Sequence, residues 1–334
     1  MNRSEQEVTQ FLGFFGIYKE SYKVIFERRK IFSKITLSLI LPVSFIYLVN
    51  MEVSNLFFRK IIHNEIELDH ARSGTPNYEK LSNLLSNEWD YFWLFQAAYF
   101  TLIAIFSLLS TAAVSYTTAC KYTSRELTFK KVMSVVPKVW KRLMVTFLCF
   151  FVIMFFYLVL APVFLIIWAI SIQASDIMCV AVVVVLMILY LVGLLYLTII
   201  WSLASVVSVL EEANGFQALV KSKNLIKGKL WMAIVIFLAL NLILGIIQIA
   251  FQMLIVHEST LGMANRVVYA IICFLLLSMS ILFALVIQTM FYFVCKSYHH
   301  ENIEKSALSD HLEAYLREDV PLIAKDAQLG QYHV

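Results

Sequence analysis

Charged residues are scarce in this sequence. Asp, Glu, Lys and Arg make up 15% of the 334 residues and hydrophobic residues 60%, whereas about a quarter of a soluble domain is usually charged. No charged residue occurs in six windows: 35–51, 91–120, 143–175, 177–210, 230–257 and 267–295. A hydrocarbon core about 30 Å thick requires about 20 helical residues. The windows therefore predict six membrane spans, and their length excludes a soluble fold with buried strands.

Signatures of soluble enzymes are also missing. The chain has no HExxH, GxSxG, phosphate-binding loop or dinucleotide-binding glycine pattern, and only nine glycines. The spans contain no ionisable Asp, Glu, Lys or Arg, which proton-coupled carriers, pumps and voltage sensors use within the membrane. We therefore expect a protein that is not an enzyme and has no cofactor.

Two clusters leave a lipid-modifying enzyme open as an alternative. Glu211 and Glu212 are paired acids at the end of the fourth window, and His299, His300 and Glu304 follow the sixth. Acids and histidines at a membrane surface suit lipid chemistry. The two glutamates also suit a turn before Asn-Gly, and the histidines suit a solvated helix end.

The segment HNEIELDH has the only metal-like spacing in the sequence. His63, Glu67 and His70 lie at i, i+4 and i+7, on one face of a helix. Such a face can bind zinc with water completing the shell. An exposed polar helix produces the same triplet without a metal, and we expect no metal site.

Basic residues are distributed unevenly among the segments between the spans. Of the 27 Lys and Arg residues, 22 lie in segments 1–34, 121–142, 211–229 and 296–334. Segment 52–90 has seven acids against four bases. Basic segments mark the cytoplasmic side. We therefore expect a cytoplasmic N-terminal segment 1–34, a membrane domain 35–295 with an outer loop 52–90 and inner loops 121–142 and 211–229, and a cytoplasmic tail 296–334.

Three basic amphipathic segments precede spans one, three and five: IYKESYKVIFERRKIFSK, LTFKKVMSVVPKVWKR and GFQALVKSKNLIKGK. In the first segment, a basic helical face is expected opposite an aromatic face that includes Tyr22 and Phe26. The pattern predicts an all-α polytopic protein with six transmembrane helices in three hairpins, each preceded by a basic amphipathic helix on the cytoplasmic side. These helices suit the bilayer surface and anionic lipid headgroups, and we expect no nucleic acid partner.

Uncharged polar residues form a stripe on span five. Asn241, Gly245, Gln248 and Gln252 are spaced i, i+4, i+7 and i+11, and Gln288 adds an amide to span six. Amides and small residues bind transmembrane helices to one another. A conduit for a polar solute would use similar residues. We interpret the stripe mainly as a helix-packing feature and keep the conduit as the alternative.

The segments EEANGFQALVKSKNLIKGKLW, FLGFFGIYKESYKVIFERRKIF and HHENIEKSALSDHLEAYLREDVPL resemble a plant family of six-span membrane proteins with no established function. An inner-loop motif is also similar to bacterial six-span proteins, which resemble the membrane region of some glycerophosphodiester phosphodiesterases. Its residues here are Glu212, Gly215, Ala218, Leu219, Ser222, Leu225, Gly228 and Trp231. Both resemblances imply a six-span fold and bring no catalytic residues. The plant resemblance suggests the endoplasmic reticulum or the plasma membrane.

The sequence therefore favours a non-catalytic scaffold, adaptor or assembly factor that contacts lipid. A short amphipathic segment in the tail, SALSDHLEAYLREDVPL, is a candidate docking site for a cytosolic protein. The alternative is a transporter or channel for a neutral or lipid-like solute.

Overall fold

The computed structural model of the chain describes residues 13–70, 75–122, 128–171, 176–257 and 262–299. Every regular element in these ranges is helical. The α-helices are α1 (Phe14–Glu27), α2 (Arg29–Ile35), α3 (Leu41–His70), α4 (Pro76–Tyr122), α5 (Phe129–Ser171), α6 (Asp176–Leu210), α7 (Gly215–Ile226), α8 (Leu230–Phe251) and α9 (Met263–Tyr298). A π-helical turn, Thr36–Ile40, joins α2 to α3, and another, Gln252–His257, extends α8. The predicted all-α class is confirmed.

Six helical stretches are long and apolar enough to cross a membrane. They are Arg29–His70, Tyr78–Lys121, Phe129–Leu160, Ala181–Leu210, Leu230–Ile255 and Met263–Tyr298. Their number and order match the six charge-free windows. The chain is therefore an integral membrane protein with several spans.

The first two spans continue as helices through most of segment 52–90, which was expected to be a loop. α3 ends at His70, and α4 begins at Pro76. Residues 52–70 contain no glycine or proline, so nothing in them breaks a helix. Proline is well tolerated in a first helical turn, and Thr75 Oγ1 accepts a hydrogen bond from Tyr78 N–H at 3.4 Å. The first charge after a span thus marks the edge of the apolar region and not the end of the helix.

The second amphipathic segment is not a separate helix, contrary to the prediction. Residues 129–142 form the start of α5, which continues through Pro137 into the third span. One side of this start is buried, through Val132, Val135, Val136 and Val139. No glycine interrupts the chain between 129 and 171. The amphipathic stretch and the span therefore form one helix.

The described residues belong to two compact units. One contains the described parts of Met1–Phe32, Thr111–Ala239 and Phe283–Val334, and we call it the α6 unit. The other contains those of Ser33–Ser110 and Leu240–Leu282. The second unit has an apolar core cluster of Leu48, Ile247, Phe251, Ile255, Cys273 and Leu277.

The two halves of α6 have different environments. From Ile199 to Leu210 almost every side chain is buried, including Ser205 and Ser208. Between Val183 and Val192 most side chains are exposed and apolar. An exposed apolar surface on a membrane-spanning helix is suited to lipid. The second half of α6 is thus the centre of its unit.

Candidate functional site

Helix α7 packs against α6 with one face. The buried residues of α7 are Gly215, Ala218, Leu219, Ser222, Leu225 and Ile226. The Ser222 hydroxyl donates a hydrogen bond to the Ile200 carbonyl of α6 at 2.8 Å. The i, i+3, i+4 and i+7 spacing of this face is that of an amphipathic helix on a core. Five residues of the predicted inner-loop motif therefore attach α7 to the α6 unit.

Two glycines of the motif flank α7 in conformations that other residues rarely adopt. Gly215 has φ +56° and Gly228 has φ +88°, and glycine has no Cβ to oppose positive φ. The Gly215 N–H donates to Thr146 Oγ1 of α5 at 2.8 Å. A Cβ at Gly228 would clash with the ring of Tyr298. Glycine is required at these positions by backbone geometry and by the approach of α5 and α9.

A carboxylate joins three helices at the end of α6. Glu211 Oε2 lies 2.6 Å from Lys221 Nζ of α7, and Glu211 Oε1 lies 2.7 Å from Lys296 Nζ of α9. The Tyr292 hydroxyl of α9 also donates to Glu211 Oε1. Only 11% of the Glu211 side chain is exposed, whereas its predicted partner Glu212 is exposed. The two acids therefore have different environments.

The ionised form of Glu211 is favoured by these contacts. Burial by itself raises the pKa of Glu211, but Lys296, Lys221 and Tyr292 outweigh it, so the pKa lies below its ordinary value of 4.5. Opposite charges and hydrogen bonds to the charged form both act in this direction. The carboxylate is thus a charged joint between α6, α7 and α9.

The end of α9 caps the end of α7. His299 Nε2 lies 3.1 Å from both the Leu225 carbonyl and the Lys227 carbonyl. Lys229 Nζ lies 5.0 Å from the centre of the Tyr298 ring, in a cation–π contact. Carbonyls at a helix C-terminus lack partners within the helix, so His299 serves a structural purpose here. Two members of the predicted histidine cluster lie outside the described residues: His300 and Glu304.

Helix α1 is attached to the α6 unit in a similar way. Ile17, Ser21 and Val24 form its buried face. Lys121, at the end of α4, lies 3.2 Å from Glu20 and 3.1 Å from Glu27. Here one lysine, 16% exposed, pairs with two acids of the docked helix.

The opposite face of α1 carries aromatic and basic side chains together. Phe15, Tyr22 and Phe26 are 84%, 65% and 60% exposed, and Lys19 and Lys23 are exposed beside them. We expected Tyr22 and Phe26 on a face opposite the lysines. The side of α1 opposite the lysines instead packs against protein, so the aromatic and basic residues lie together on the exposed face.

Helix α7 presents a similar mixed face. Phe216 and Val220 are 65% and 42% exposed, and Lys223 and Lys227 are exposed at i+7 and i+11 from Phe216. Trp231, the last residue of the motif, follows at 80% exposure. Indoles and lysines at a helix surface suit the headgroup level of a bilayer.

Gln288, predicted as part of an intramembrane polar face, forms two hydrogen bonds with α6. Its Nε2 donates to the Ser202 carbonyl at 2.5 Å and to Ser205 Oγ at 2.7 Å. Both acceptors are backbone or hydroxyl oxygens of another span. Gln288 therefore joins α9 to α6.

The amide stripe of span five lies beside the buried face of its helix. The buried residues of α8 near the stripe are Leu240, Ile247 and Phe251. Asn241 and Gln252 are exposed, and Gln248 is half-buried. Each amide follows a buried residue by one position, which is a rotation of about 100° around the helix.

Hydroxyl pairs between spans were missed in the sequence. Thr146 Oγ1 and Ser208 Oγ are 2.7 Å apart, and Ser115 Oγ and Thr289 Oγ1 are 3.1 Å apart. The signal in the sequence is the spacing of Ser202, Ser205 and Ser208 along α6 at i, i+3 and i+6. Small polar residues at such intervals are typical of close helix packing in membranes.

The metal-like triplet of α3 is exposed. His63 Nε2 lies 3.2 Å from Glu67 Oε1, with 71% and 54% of the two side chains exposed. Among the residues that the structure describes, no group of three His, Cys, Asp or Glu side chains is arranged to hold a metal. His70 is exposed at the end of α3.

A family model described as a domain of unknown function, DUF8558, matches residues 1–332. No curated protein and no solved structure matches the chain significantly. The family match covers the docked helices α1 and α7, the six spans and the Glu211 cluster. The chain therefore belongs to the DUF8558 family, as an integral membrane protein with six candidate spans.

Proposed function

We propose that this protein is a non-catalytic membrane scaffold, adaptor or assembly factor. The observation that carries the proposal is that intramembrane and inner-face polar groups of the α6 unit bond helix to helix. Gln288, Thr146, Ser208 and Glu211 each join two or more helices. Such bonds make a rigid framework and leave these groups occupied.

The state of Glu211 argues against the lipid-modifying enzyme. Both oxygens of its carboxylate are occupied by lysine or tyrosine. The lowered pKa makes it a weak base and leaves it without a proton to donate near neutral pH. A catalytic acid or base has the opposite requirement, a pKa near the working pH.

The mixed faces of α1 and α7 support contact with the bilayer surface. Exposed lysines beside exposed aromatic rings suit anionic headgroups and the acyl boundary below them. With the basic segments on the cytoplasmic side, both termini are cytoplasmic and the spans form three hairpins. The resemblance to a plant family favours the endoplasmic reticulum or the plasma membrane. The tail beyond residue 299 is the proposed contact for a cytosolic protein.

A transporter or channel for a neutral or lipid-like solute is the second candidate. Exposed Gln252 and half-buried Gln248 place uncharged polar groups on the surface of a span. Polar groups in lipid are costly unless they find partners or water. A solute pathway would supply these amides with both hydrogen-bonding partners and water.

Reconstitution separates the two candidates. Purification in mild detergent followed by native mass spectrometry should give a protein bound at a fixed ratio, and vesicles should show no flux of neutral solutes above empty vesicles. The double substitution Gln248→Leu with Gln252→Leu is the decisive variant. Wild-type flux that this variant abolishes, with thermal stability unchanged, would refute the scaffold and establish the transporter.

A further inference from the structure

The charged extensions of α3 and α4 pack as an antiparallel helix pair. Phe92 of α4 lies 5.0 Å from Phe58 and 6.1 Å from Phe57, measured between ring centres. Ile61, one turn further along α3, is 1% exposed. This pair lies within one compact unit, so its geometry is fixed locally.

The core positions of the pair follow a heptad rhythm. In the part of α3 from 56 to 70 the residues with least exposure are Phe57, Ile61, Asn64 and Leu68, and in the part of α4 from 78 to 92 they are Tyr78, Leu81, Leu85, Glu88 and Phe92. Their spacings alternate between three and four residues, as in a coiled coil. The segment is therefore a short antiparallel coiled coil continuing the first two spans.

A buried polar layer sets the register of this coiled coil. Glu88 is 7% exposed, and Asn64 Nδ2 donates to its Oε2 at 2.7 Å. Lys60 Nζ lies 2.9 Å from Glu88 Oε1. Polar core positions fix register and partner number in coiled coils. The layer holds the neighbouring apolar surface in a defined place.

An open groove with a volume of about 620 Å³ lies beside the coiled coil and reaches its core positions Leu68, Tyr78 and Leu85, which line it from within. Ile62 and Ile66 line it and are 52% and 53% exposed. Glu65 and Asp69 line the same groove and are exposed. The groove thus combines an apolar stripe with two carboxylates on one side of α3.

The groove lies beyond the level where lipid would cover it. Trp89, Tyr91 and Trp93 are exposed near the start of the second apolar window, and such residues mark the headgroup level. Leu85 and Tyr78 of the groove precede Trp89 by 4 and 11 residues, which is about 6 to 16 Å along a helix. Water, and not lipid, would face the apolar stripe.

We propose that this groove docks a helix of a partner protein that carries an apolar stripe flanked by lysine or arginine. A two-helix coiled coil leaves a third side onto which another helix can pack. Glu65 and Asp69 select for basic flanks. A second copy of this chain would bring the same acids to the contact, since segment 52–90 has seven acids against four bases, and like charges would repel. The inference rests on the proposed scaffold function and names the chemistry of its partner.

The test uses the full chain in nanodiscs of phosphatidylcholine, a neutral lipid that does not attract basic peptides. The probes are two labelled helical peptides of three heptads with the same leucine stripe, one flanked by lysine and the other by glutamate. Fluorescence anisotropy measures their binding. The wild type should bind the lysine peptide and not the glutamate peptide.

Substitutions then locate the contact. The double variant Glu65→Lys with Asp69→Lys should weaken lysine-peptide binding about tenfold and bring about binding of the glutamate peptide. Ile66→Lys should abolish lysine-peptide binding. Leu84→Lys is the matched control. Leu84 is 46% exposed on the same coiled coil and is not among the described residues that line the groove. Peptide binding by this variant should therefore be unchanged. Circular dichroism confirms that each variant is folded.

Three results would overturn the inference. Equal binding of the two peptides would remove the charge selection, and equal losses in Ile66→Lys and Leu84→Lys would remove the groove. Disulfide-linked dimers of an Ile66→Cys variant, formed within one nanodisc, would assign the groove to a second copy. None of these results bears on solute flux, so failure here is distinguishable from failure of the proposed function.

Discussion

Replacing Gln288 by leucine should destabilise the protein by about 1 to 2 kcal/mol. The substitution removes two interhelical hydrogen bonds, of 2.5 Å to the Ser202 carbonyl and 2.7 Å to Ser205 Oγ. Such bonds contribute on average about 0.6 and at most about 1.7 kcal/mol each in membrane proteins. Ser205 Oγ also donates to the Ser202 carbonyl at 2.8 Å, so the hydroxyl keeps a partner. This retained bond keeps the expected loss below the sum of two strong bonds.

The matched control is Gln252→Leu, the same chemical change in another span. Gln252 is exposed, and an exposed amide replaced by leucine in lipid should leave stability unchanged or raise it slightly. Equilibrium unfolding in mixed micelles with increasing dodecyl sulfate, followed by circular dichroism, measures both variants. The difference between them isolates the interhelical bonds from the change in helix hydrophobicity.

A larger loss of stability in Gln252→Leu than in Gln288→Leu would refute this explanation. That result would assign the helix-joining role to the span-five stripe, as the sequence interpretation had it. It would also mean that a surface absent from the described contacts covers this stripe. Equal stability of Gln288→Leu and the wild type would show that the bonds of Gln288 contribute nothing net.

Three further predictions concern other contacts. Glu211→Gln should lower the free energy of unfolding by about 1 to 3 kcal/mol at neutral pH. Because the pKa of Glu211 is lowered from 4.5, the stabilisation by its carboxylate is present above pH 4.5 and is lost as the pH falls through the folded pKa. The difference in stability between wild type and variant, measured by unfolding at several pH values, should therefore disappear in acid. Gly193→Ala should destabilise the packing of α5 on α6, because a Cβ at this position would meet the Tyr157 hydroxyl. Adding Tyr157→Phe should partly restore stability. Stability losses of the two single variants that simply add in the double variant would refute this coupling. The double variant Lys19→Gln with Lys23→Gln should reduce binding of anionic lipid in native mass spectrometry, with a steeper loss at low salt than at high salt; retention equal to that of a Lys80→Gln control would contradict it.

The spans and the amphipathic character of α7 were predictable from local pattern alone. Charge-free windows longer than about 20 residues leave few alternatives to a membrane helix. The residues Ala218, Leu219, Ser222 and Leu225 carry a helical stripe that appears in both the motif and the buried face. The spans depend on the length of a charge-free window and the stripe on periodicity within one segment, both of which a single sequence displays. The packing of the stripe against α6 was not predicted.

The contacts of Glu211 and the coiled coil were not predicted, for two different reasons. Glu211 and Lys296 are 85 residues apart, and nothing local indicates that such residues meet. The coiled coil did have a local signal, in the heptad spacing of Phe57, Ile61 and Asn64. Segment 52–90 was interpreted as a loop because charge was used to end each span, although charged residues are good helix formers.

Helices α1 and α7 are attached by ion pairs in which the charges are reversed, and these pairs should respond to salt differently from the exposed lysines. Lys121 holds two acids of α1, whereas Glu211 holds a lysine of α7 and another of α9. Lys121 and Glu211 are 16% and 11% exposed, so salt screens their pairs less than it screens surface charges. Lys19, Lys23 and Lys223 are exposed on these helices, so salt screens their attraction to anionic lipid. Under the proposed lipid contact, added salt should therefore release anionic lipid from the mixed faces before it detaches either helix. The docked helices would then bind the bilayer already folded, without the ordering cost that a free amphipathic peptide bears.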